Sequence, residues 1–262
     1  GEVSGINGSG RAAEMATPEL YAERGHEEMP FDGALSVTVP GIASAWAAAL
    51  ERYGTLSFAE ALEPAIRYAD EGFMATRTLA TDLRDAAAEL NEAGQEIYRP
   101  GGEALEAGQI LRSPALASTL RALAEEGPEA LYGGEVGESA AAFLEGEGSP
   151  LRPADFRAHE PTWVDPISTS FRGRRVHTIP PNSQGLTLLL MLGMADRLDL
   201  EAREPNSAAL FHDLVEIKKI AFADRNRWIA EPTMADVPVE RLLDPSYLDE
   251  RAALVGDRAA ES

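Results

Sequence analysis

Apolar residues recur at helical spacing through the first half of the chain. Between residues 42 and 53 they lie three or four positions apart, which predicts a helix that Gly54 ends. Ser57 and Glu60 form the S-x-x-E pattern of a capping box and predict a second helix to about residue 71, with a kink at its internal proline. Further helices are predicted at residues 75–98, 114–127 and 135–145.

Alternating apolar and polar positions are few. Residues 1–10 predict a short strand that leads into a tight turn, and the β-branched stretch at 34–39 predicts another strand. Residues 167–171 and 175–179 flank a glycine-containing turn and predict a hairpin. Three or four short strands do not make a self-sufficient sheet, so we expect a helix-rich α+β chain that is part of something larger.

The last third of the chain is again helical in pattern. Residues 186–198 are apolar all round, as in a buried helix. Asn206-Ser207 predicts the start of a helix through about Trp228, and a last helix is predicted at residues 246–255. No repeat or domain boundary is evident, so residues 1–262 are interpreted as one incomplete domain. The long helix is predicted to place one apolar face inward, formed by Leu210, Leu214, Ile217, Ile220 and Ala221.

Charge and cysteine content exclude several classes of function. The 262 residues carry 44 acidic and 23 basic side chains, a net charge of -21, which argues against a nucleic-acid partner because such a surface repels a polyanion. The absence of cysteine excludes disulfides, thiolate zinc sites and a cysteine nucleophile. The longest apolar stretch is about ten residues, against roughly 20 for a membrane span. The compartment stays open.

The run Asn7-Gly8-Ser9-Gly10-Arg11 is the most unusual local motif. It has no lysine of a phosphate loop, and the glycine spacing around Ser9 does not match the G-x-S-x-G turn of a serine nucleophile. We interpret its glycines as a flexible turn that presents Arg11. The rigid guanidinium could bind a substrate carboxylate or could pair with one of the chain's own acidic residues, and both alternatives stay open.

The four histidines show no metal-ligand spacing. We therefore predict no metal site and expect each histidine to be structural. These residues are His26, His159, His177 and His212.

Five blocks of the sequence together form a recognisable order. They occupy residues 16–21, 39–73, 113–136, 155–185 and 206–232, and they include V-P-G and Y-G-T-L in the second block and P-P-N-S-Q-G in the fourth. In this order they resemble the large subunit of the gamma-glutamyltransferase (glutathione hydrolase) family, which has P-P-P-S-S-G-G in place of P-P-N-S-Q-G.

The resemblance implies the helix-rich part of an N-terminal nucleophile hydrolase, a four-layer αββα sandwich completed by a second chain. A precursor would cut itself, and the N-terminal Thr of the small subunit would be the nucleophile. No catalytic residue is then expected on this chain, whose own N-terminal part looks missing and which ends before the cut. A small-molecule acyl-amide substrate, no cofactor and a possible dimer of heterodimers are implied.

Arg11 matches the family arginine that binds the α-carboxylate of the γ-glutamyl group. The family motif is D-x-R-E-x-A-P, whose Asp, Glu and Ala-Pro are not reproduced here, and the spacing to Thr17 is shorter. The expected function is cleavage or transfer of a γ-glutamyl amide. The alternatives are another acyl amide, as in the related cephalosporin (glutaryl) acylases and oxamate amidohydrolases, or a non-catalytic scaffold.

Overall fold

The computed structural model describes residues 1–260, in which the strands are short and pair only in twos. All three pairs are antiparallel: β1 with β4, β2 with β3, and β5 with β6. These strands are β1 (Gly5–Asn7), β2 (Phe73–Met74), β3 (Ile110–Leu111), β4 (Thr162–Val164), β5 (Ile167–Phe171) and β6 (Arg174–Thr178).

The chain divides into two compact units. The helical unit is Gly8–Pro161, and the hairpin unit is Gly1–Asn7 together with the chain from Thr162 onward. The prediction of one domain over residues 1–262 stays a prediction beside this division. The helical unit contains β2, β3 and α1 (Pro18–Glu23), α2 (Ile42–Tyr53), α3 (Phe58–Glu71), α4 (Arg77–Asp85), α5 (Glu92–Tyr98), α6 (Pro114–Glu126), α7 (Glu129–Tyr132), α8 (Glu135–Gly146) and α9 (Pro153–Arg157).

The hairpin unit holds the remaining strands and four helices. Short 3₁₀ turns occur in both units, at Ala86–Ala88, Pro100–Gly102 and Leu200–Ala202. The four helices are α10 (Gly185–Ala195), α11 (Ala208–Trp228), α12 (Val239–Leu242) and α13 (Pro245–Ala252).

Local sequence signals explain where the helices of the helical unit begin and end. The predicted capping box is present: Glu60 N–H donates to Ser57 Oγ at 3.2 Å, and Ser57 N–H donates to the Glu60 carboxylate at 2.8 Å. Helix α3 continues through Pro64 and ends at Gly72, whose φ of 91° suits glycine. It packs against α6 over a core that includes Leu62 and Leu123. The predicted helix at 75–98 is divided into α4 and α5.

The strand predicted at residues 34–39 is wrong. This segment forms turns and extended coil without a neighbouring strand. Its last residue, Val39, donates its N–H to the carbonyl of Arg11 at 3.1 Å. This N–H is therefore bonded to a loop and not to a neighbouring β-strand.

The predicted hairpin and buried helix are confirmed. Strands β5 and β6 pair from Ile167 opposite Thr178 to Phe171 opposite Arg174. Arg172 and Gly173 form the turn with φ of 49° and 71°, as a type I′ hairpin requires. Helix α10 packs on β5 and on α11 and buries Leu186, Leu189 and Leu190, while Leu188 is 49% exposed.

The predicted apolar face of α11 is only partly correct. Ile217 and Ala221 are buried, but Leu214 is 40% exposed. The buried side instead includes three acidic residues, which are tolerated there because each is paired with a basic side chain. The pairs are Asp213–Arg203, Glu216–Lys219 and Asp224–Arg251.

Residues 1–260 contain neither a candidate membrane span nor a candidate metal site. No helix in this part has both the length and the apolar character of a membrane span. The same residues contain no group of three or more histidine and acidic side chains placed to hold a metal ion.

Candidate functional site

The segment that carries Arg11 lies directly against the main chain of residues 39–41. A Cβ atom on Gly10 would lie 1.5 Å from the carbonyl oxygen of Val39, and one on Gly41 would lie 2.0 Å from that of Gly8. None of these three glycines has a positive φ. The glycines therefore permit close backbone packing, and their interpretation as a flexible turn is wrong.

Hydrogen bonds hold the main chain at Arg11 and just after it. The Arg11 carbonyl accepts the N–H of Val39 at 3.1 Å, and the N–H of Glu14 donates to Asp155 Oδ1 at 2.9 Å. Between them Ala13 is buried in the core of the helical unit. The arginine is thus mounted on a fixed segment.

The side chain of Arg11 is exposed and makes no ion pair with residues 1–260. Pairing with one of the chain's own acidic residues, one of the two alternatives left by the sequence, is therefore not observed in this part of the chain. Its guanidinium keeps a planar set of N–H donors that matches a carboxylate.

A buried polar cluster lies behind this segment. Ser44, at the start of α2, and His159, after α9, are each 7% exposed, and His159 Nε2 lies 2.9 Å from Ser44 Oγ. Ser44 Oγ donates to the carbonyl of Gly41 at 2.8 Å. Because a hydroxyl has one proton, His159 must donate to Ser44 rather than accept from it. The pair is therefore not a serine nucleophile with its base, which needs the opposite direction.

Tyr132 completes the cluster. Its hydroxyl donates to the carbonyl of Pro40 at 2.7 Å and accepts the N–H of Ser44 at 3.2 Å. The rings of Tyr132 and His159 lie 5.0 Å apart. The cluster thus holds residues 40–41 through two consecutive carbonyl groups.

Burial lowers the pKa of His159 below its ordinary value. A hydrogen bond to the main chain of Gly41 opposes this shift, and the positive charge of Arg11 lowers the pKa further. His159 is therefore neutral at pH 7 and adds no charge beside Arg11.

Several other residues considered from the sequence belong to the hairpin unit. In the hairpin unit, His212 Nε2 bonds the carbonyl of Gly256 at 2.7 Å, in agreement with a structural role, and His177 is exposed on β6. Asn182, within the P-P-N-S-Q-G stretch, contacts Asn7 at 3.2 Å and Glu231 at 3.0 Å. Sequence reasoning missed the Ser44–Tyr132–His159 cluster because its members are 88 and 115 residues apart and follow no local spacing rule.

The fold matches known enzyme structures over nearly the whole chain. A cephalosporin acylase from Bacillus halodurans superposes with a TM-score of 0.89 at 37% identity, over 98% of this chain and 49% of that one. The protein is thus a helix-rich α+β chain with the fold of the matched half of this acylase. It belongs to the gamma-glutamyltranspeptidase family, whose family model matches residues 1–262.

Two curated relatives carry different names. The glutathione hydrolase-like YwrD proenzyme of Bacillus subtilis (strain 168) is 36% identical over 257 residues, covering 97% of this chain and 49% of the relative. The acylase ACY 1 proenzyme of Pseudomonas sp. (strain V22) is 39% identical over 233 residues, covering 88% and 42%. The chain spans about half the length of the curated relatives it matches.

Proposed function

We propose that this chain is the large subunit of a gamma-glutamyltransferase-like amide hydrolase, and that Arg11 binds the carboxylate of the acyl group. The four-layer αββα sandwich would be completed by a small subunit from the same precursor. Family membership and the proenzyme names of both relatives support a processed two-chain enzyme.

The observation that carries the proposal is the unpaired Arg11. In a chain with 44 acidic residues, an exposed arginine on a fixed segment has no ion pair within residues 1–260. A bidentate carboxylate contact needs such a fixed fork, because its strength depends on the alignment of two parallel N–H groups.

The chemistry would be acyl transfer through the partner chain. The hydroxyl oxygen of its N-terminal Thr attacks the amide carbonyl, and the Thr α-amine takes the hydroxyl proton. That proton passes to the leaving amine as the C–N bond breaks, and water or an acceptor amine then takes the acyl group from the ester. Arg11 would hold the far end of the acyl chain throughout, so that the carbonyl stays in place.

A second candidate is favoured by the similarity to acylases, namely hydrolysis of a glutaryl or other acyl amide. A glutaryl group is a γ-glutamyl group without its amine, so both present the same terminal carboxylate. Arg11 would serve either substrate, and the α-ammonium group is what distinguishes them.

Three p-nitroanilides test the proposal on the processed enzyme made from the full-length gene. They carry γ-glutamyl, glutaryl and butyryl groups, which remove first the amine and then the carboxylate. Arg11→Ala is expected to raise KM for the two carboxylate substrates by about 10- to 150-fold, the loss of a charge-assisted contact of roughly 1.5–3 kcal/mol. KM for the butyryl substrate should not change.

The control is Arg84→Ala, which removes another exposed arginine of the helical unit. It should leave all three KM values unchanged. An equal rise for the butyryl substrate in Arg11→Ala would refute the carboxylate contact. The better of the γ-glutamyl and glutaryl substrates identifies the acyl class, and no turnover of any substrate by the cleaved enzyme would favour the scaffold alternative.

A further inference from the structure

We propose that His159 is a positioning residue that sets the place of Arg11 through the main chain of residues 39–41. The inference rests on the proposed function, because it concerns the carboxylate contact of Arg11. It adds a buried residue, remote in sequence, that determines how well this contact forms.

His159 is linked to Gly41 both through Ser44 and directly. His159 Nε2–H donates to Ser44 Oγ at 2.9 Å, and this hydroxyl donates to the Gly41 carbonyl at 2.8 Å. The imidazole also contacts Gly41 directly, since a Cβ there would lie 2.7 Å from its Cε1 atom. The neutral imidazole of His159 is held in one orientation by these contacts, and it in turn fixes the position of the Gly41 peptide.

Residues 39–41 are linked to Arg11 by close backbone packing and by a hydrogen bond. The close approaches of Gly41 to Gly8 and of Gly10 to Val39 leave no room for one segment to slide over the other. The hydrogen bond from Val39 N–H to the Arg11 carbonyl then fixes the position of one segment against the other at the arginine itself. A displacement of residues 39–41 is therefore transmitted to Arg11, because packed main chain yields little.

His159 has no direct role in the chemical step. It is buried, donates to a serine that is itself a donor, and does not contact a reacting group in the described residues. Its influence would therefore appear in substrate binding by the carboxylate and not in the chemical step.

The test is a double-mutant cycle on the processed enzyme. His159→Phe keeps a ring but removes the donor, and is expected to raise KM for the better carboxylate substrate about fivefold, as for one lost hydrogen bond, with kcat retained. KM for the butyryl substrate should stay the same. In the Arg11→Ala background, His159→Phe should have no further effect on KM, because the group it positions is gone.

Two further variants separate positioning from folding. His159→Gln places an amide N–H near the position of Nε2 and should restore KM to within about twofold of wild type. Ser44→Ala removes the hydroxyl that joins His159 to the Gly41 carbonyl but leaves the direct contact of the ring with Gly41. It should raise KM for the carboxylate substrate by a smaller factor than His159→Phe, and it provides this test even if the phenylalanine variant does not fold. The control His212→Gln alters a histidine that bonds main chain in the hairpin unit and should leave KM unchanged.

The possible outcomes are distinct. Additive effects of His159→Phe and Arg11→Ala, an equal loss for the butyryl substrate, or an unchanged KM in Ser44→Ala would each overturn the positioning role while leaving the proposed function intact. If Arg11→Ala itself does not change KM for carboxylate substrates, the proposed function and the positioning role both fail.

Discussion

Arg11 depends on three residues that have no side chain. Gly8, Gly10 and Gly41 let two stretches of backbone meet at distances that any Cβ atom would prevent. The run around Arg11 is conspicuous in the sequence, but the purpose of its glycines is not, because their contacts lie about 30 residues away. His159 is even less predictable, since only the fold brings it to Gly41.

Gly10→Ala should therefore disturb the arginine. The new Cβ would lie 1.5 Å from the Val39 carbonyl oxygen, and this is backbone that cannot turn aside. We expect a loss of melting temperature and a rise in KM for carboxylate substrates. The matched variant is Gly146→Ala at the end of α8, where nothing lies within 4 Å of the new Cβ. In this variant the melting temperature should not fall and KM should not rise. Equal melting temperatures for the two variants would contradict the close packing described above.

Protonation of His159 should destabilise the helical unit. Its lowered pKa means that the unfolded chain binds the proton more readily, so stability is full above the ordinary value of 6.5 and is lost as the pH falls below it. The buried ring faces Arg11 and Tyr132, while Glu51, Arg157 and Glu160 line the cavity beside it. Urea unfolding between pH 7.5 and 5.5 measures the effect. His159→Gln should show a smaller loss over this range, and an identical pH dependence in both proteins would argue against a buried neutral histidine.

Among the elements, helix α11 shows where periodicity alone is insufficient. The apolar spacing predicted the helix and its N-cap at Ser207, and the structure confirms both. It could not predict that Asp213, Glu216 and Asp224 are buried, because two of their partners, Arg203 and Arg251, lie outside the helix. A carboxylate on a helix is normally assigned to solvent, and only the tertiary fold supplies the compensating charge.

The Asp224–Arg251 pair offers a test at this scale. Asp224 is 4% exposed and receives Nε and Nη2 of Arg251 at 3.0 and 2.7 Å. Arg251→Met should lower the free energy of unfolding by about 3–5 kcal/mol, because it leaves a buried carboxylate without its partner. Adding Asp224→Asn should recover part of the loss. Denaturant unfolding provides the measurement.

The control for this prediction is an exposed pair. Arg121 and Asp70 are each nearly half exposed in their side chains. Arg121→Met should therefore change the free energy of unfolding by no more than about 1 kcal/mol. Similar decreases in the free energy of unfolding for Arg121→Met and Arg251→Met would show that burial of the ion pair does not determine how much its loss destabilises the protein.

For the molecule as a whole, the order of sequence blocks was more informative than any single element. Five short similarities in a fixed order identified the family that the comparisons confirm. The same sequence predicted a strand at 34–39 that does not form, because a β-branched stretch becomes a strand only where another strand is available to pair with it. Helix α1 was missed as well, since six residues are too few to show periodicity.

The net charge of -21 on this chain predicts a salt effect on anionic substrates in an enzyme whose small subunit does not offset that charge. In Arg11→Ala the local attraction is absent, and the repulsion from the chain remains. Raising NaCl from about 0.01 to 0.15 M shortens the Debye length from roughly 30 to 8 Å, so KM for the glutaryl substrate should fall about two- to threefold. The neutral butyryl substrate is the reference. A ratio of the two KM values that does not fall with salt would contradict a chain-wide repulsion.

Arg11 makes no ion pair within residues 1–260, so an acidic residue introduced nearby could pair with it and compete with a substrate. A glutamate introduced at Ala12, an exposed neighbour of Arg11, would be a tethered competitor whose effective concentration, on the order of millimolar, rivals that of a free substrate. If Arg11 binds the substrate carboxylate, an acidic substitution beside it would weaken substrate binding even where the new residue does not touch the substrate. Neutral neighbours such as Ala12 leave the guanidinium free to bind the substrate.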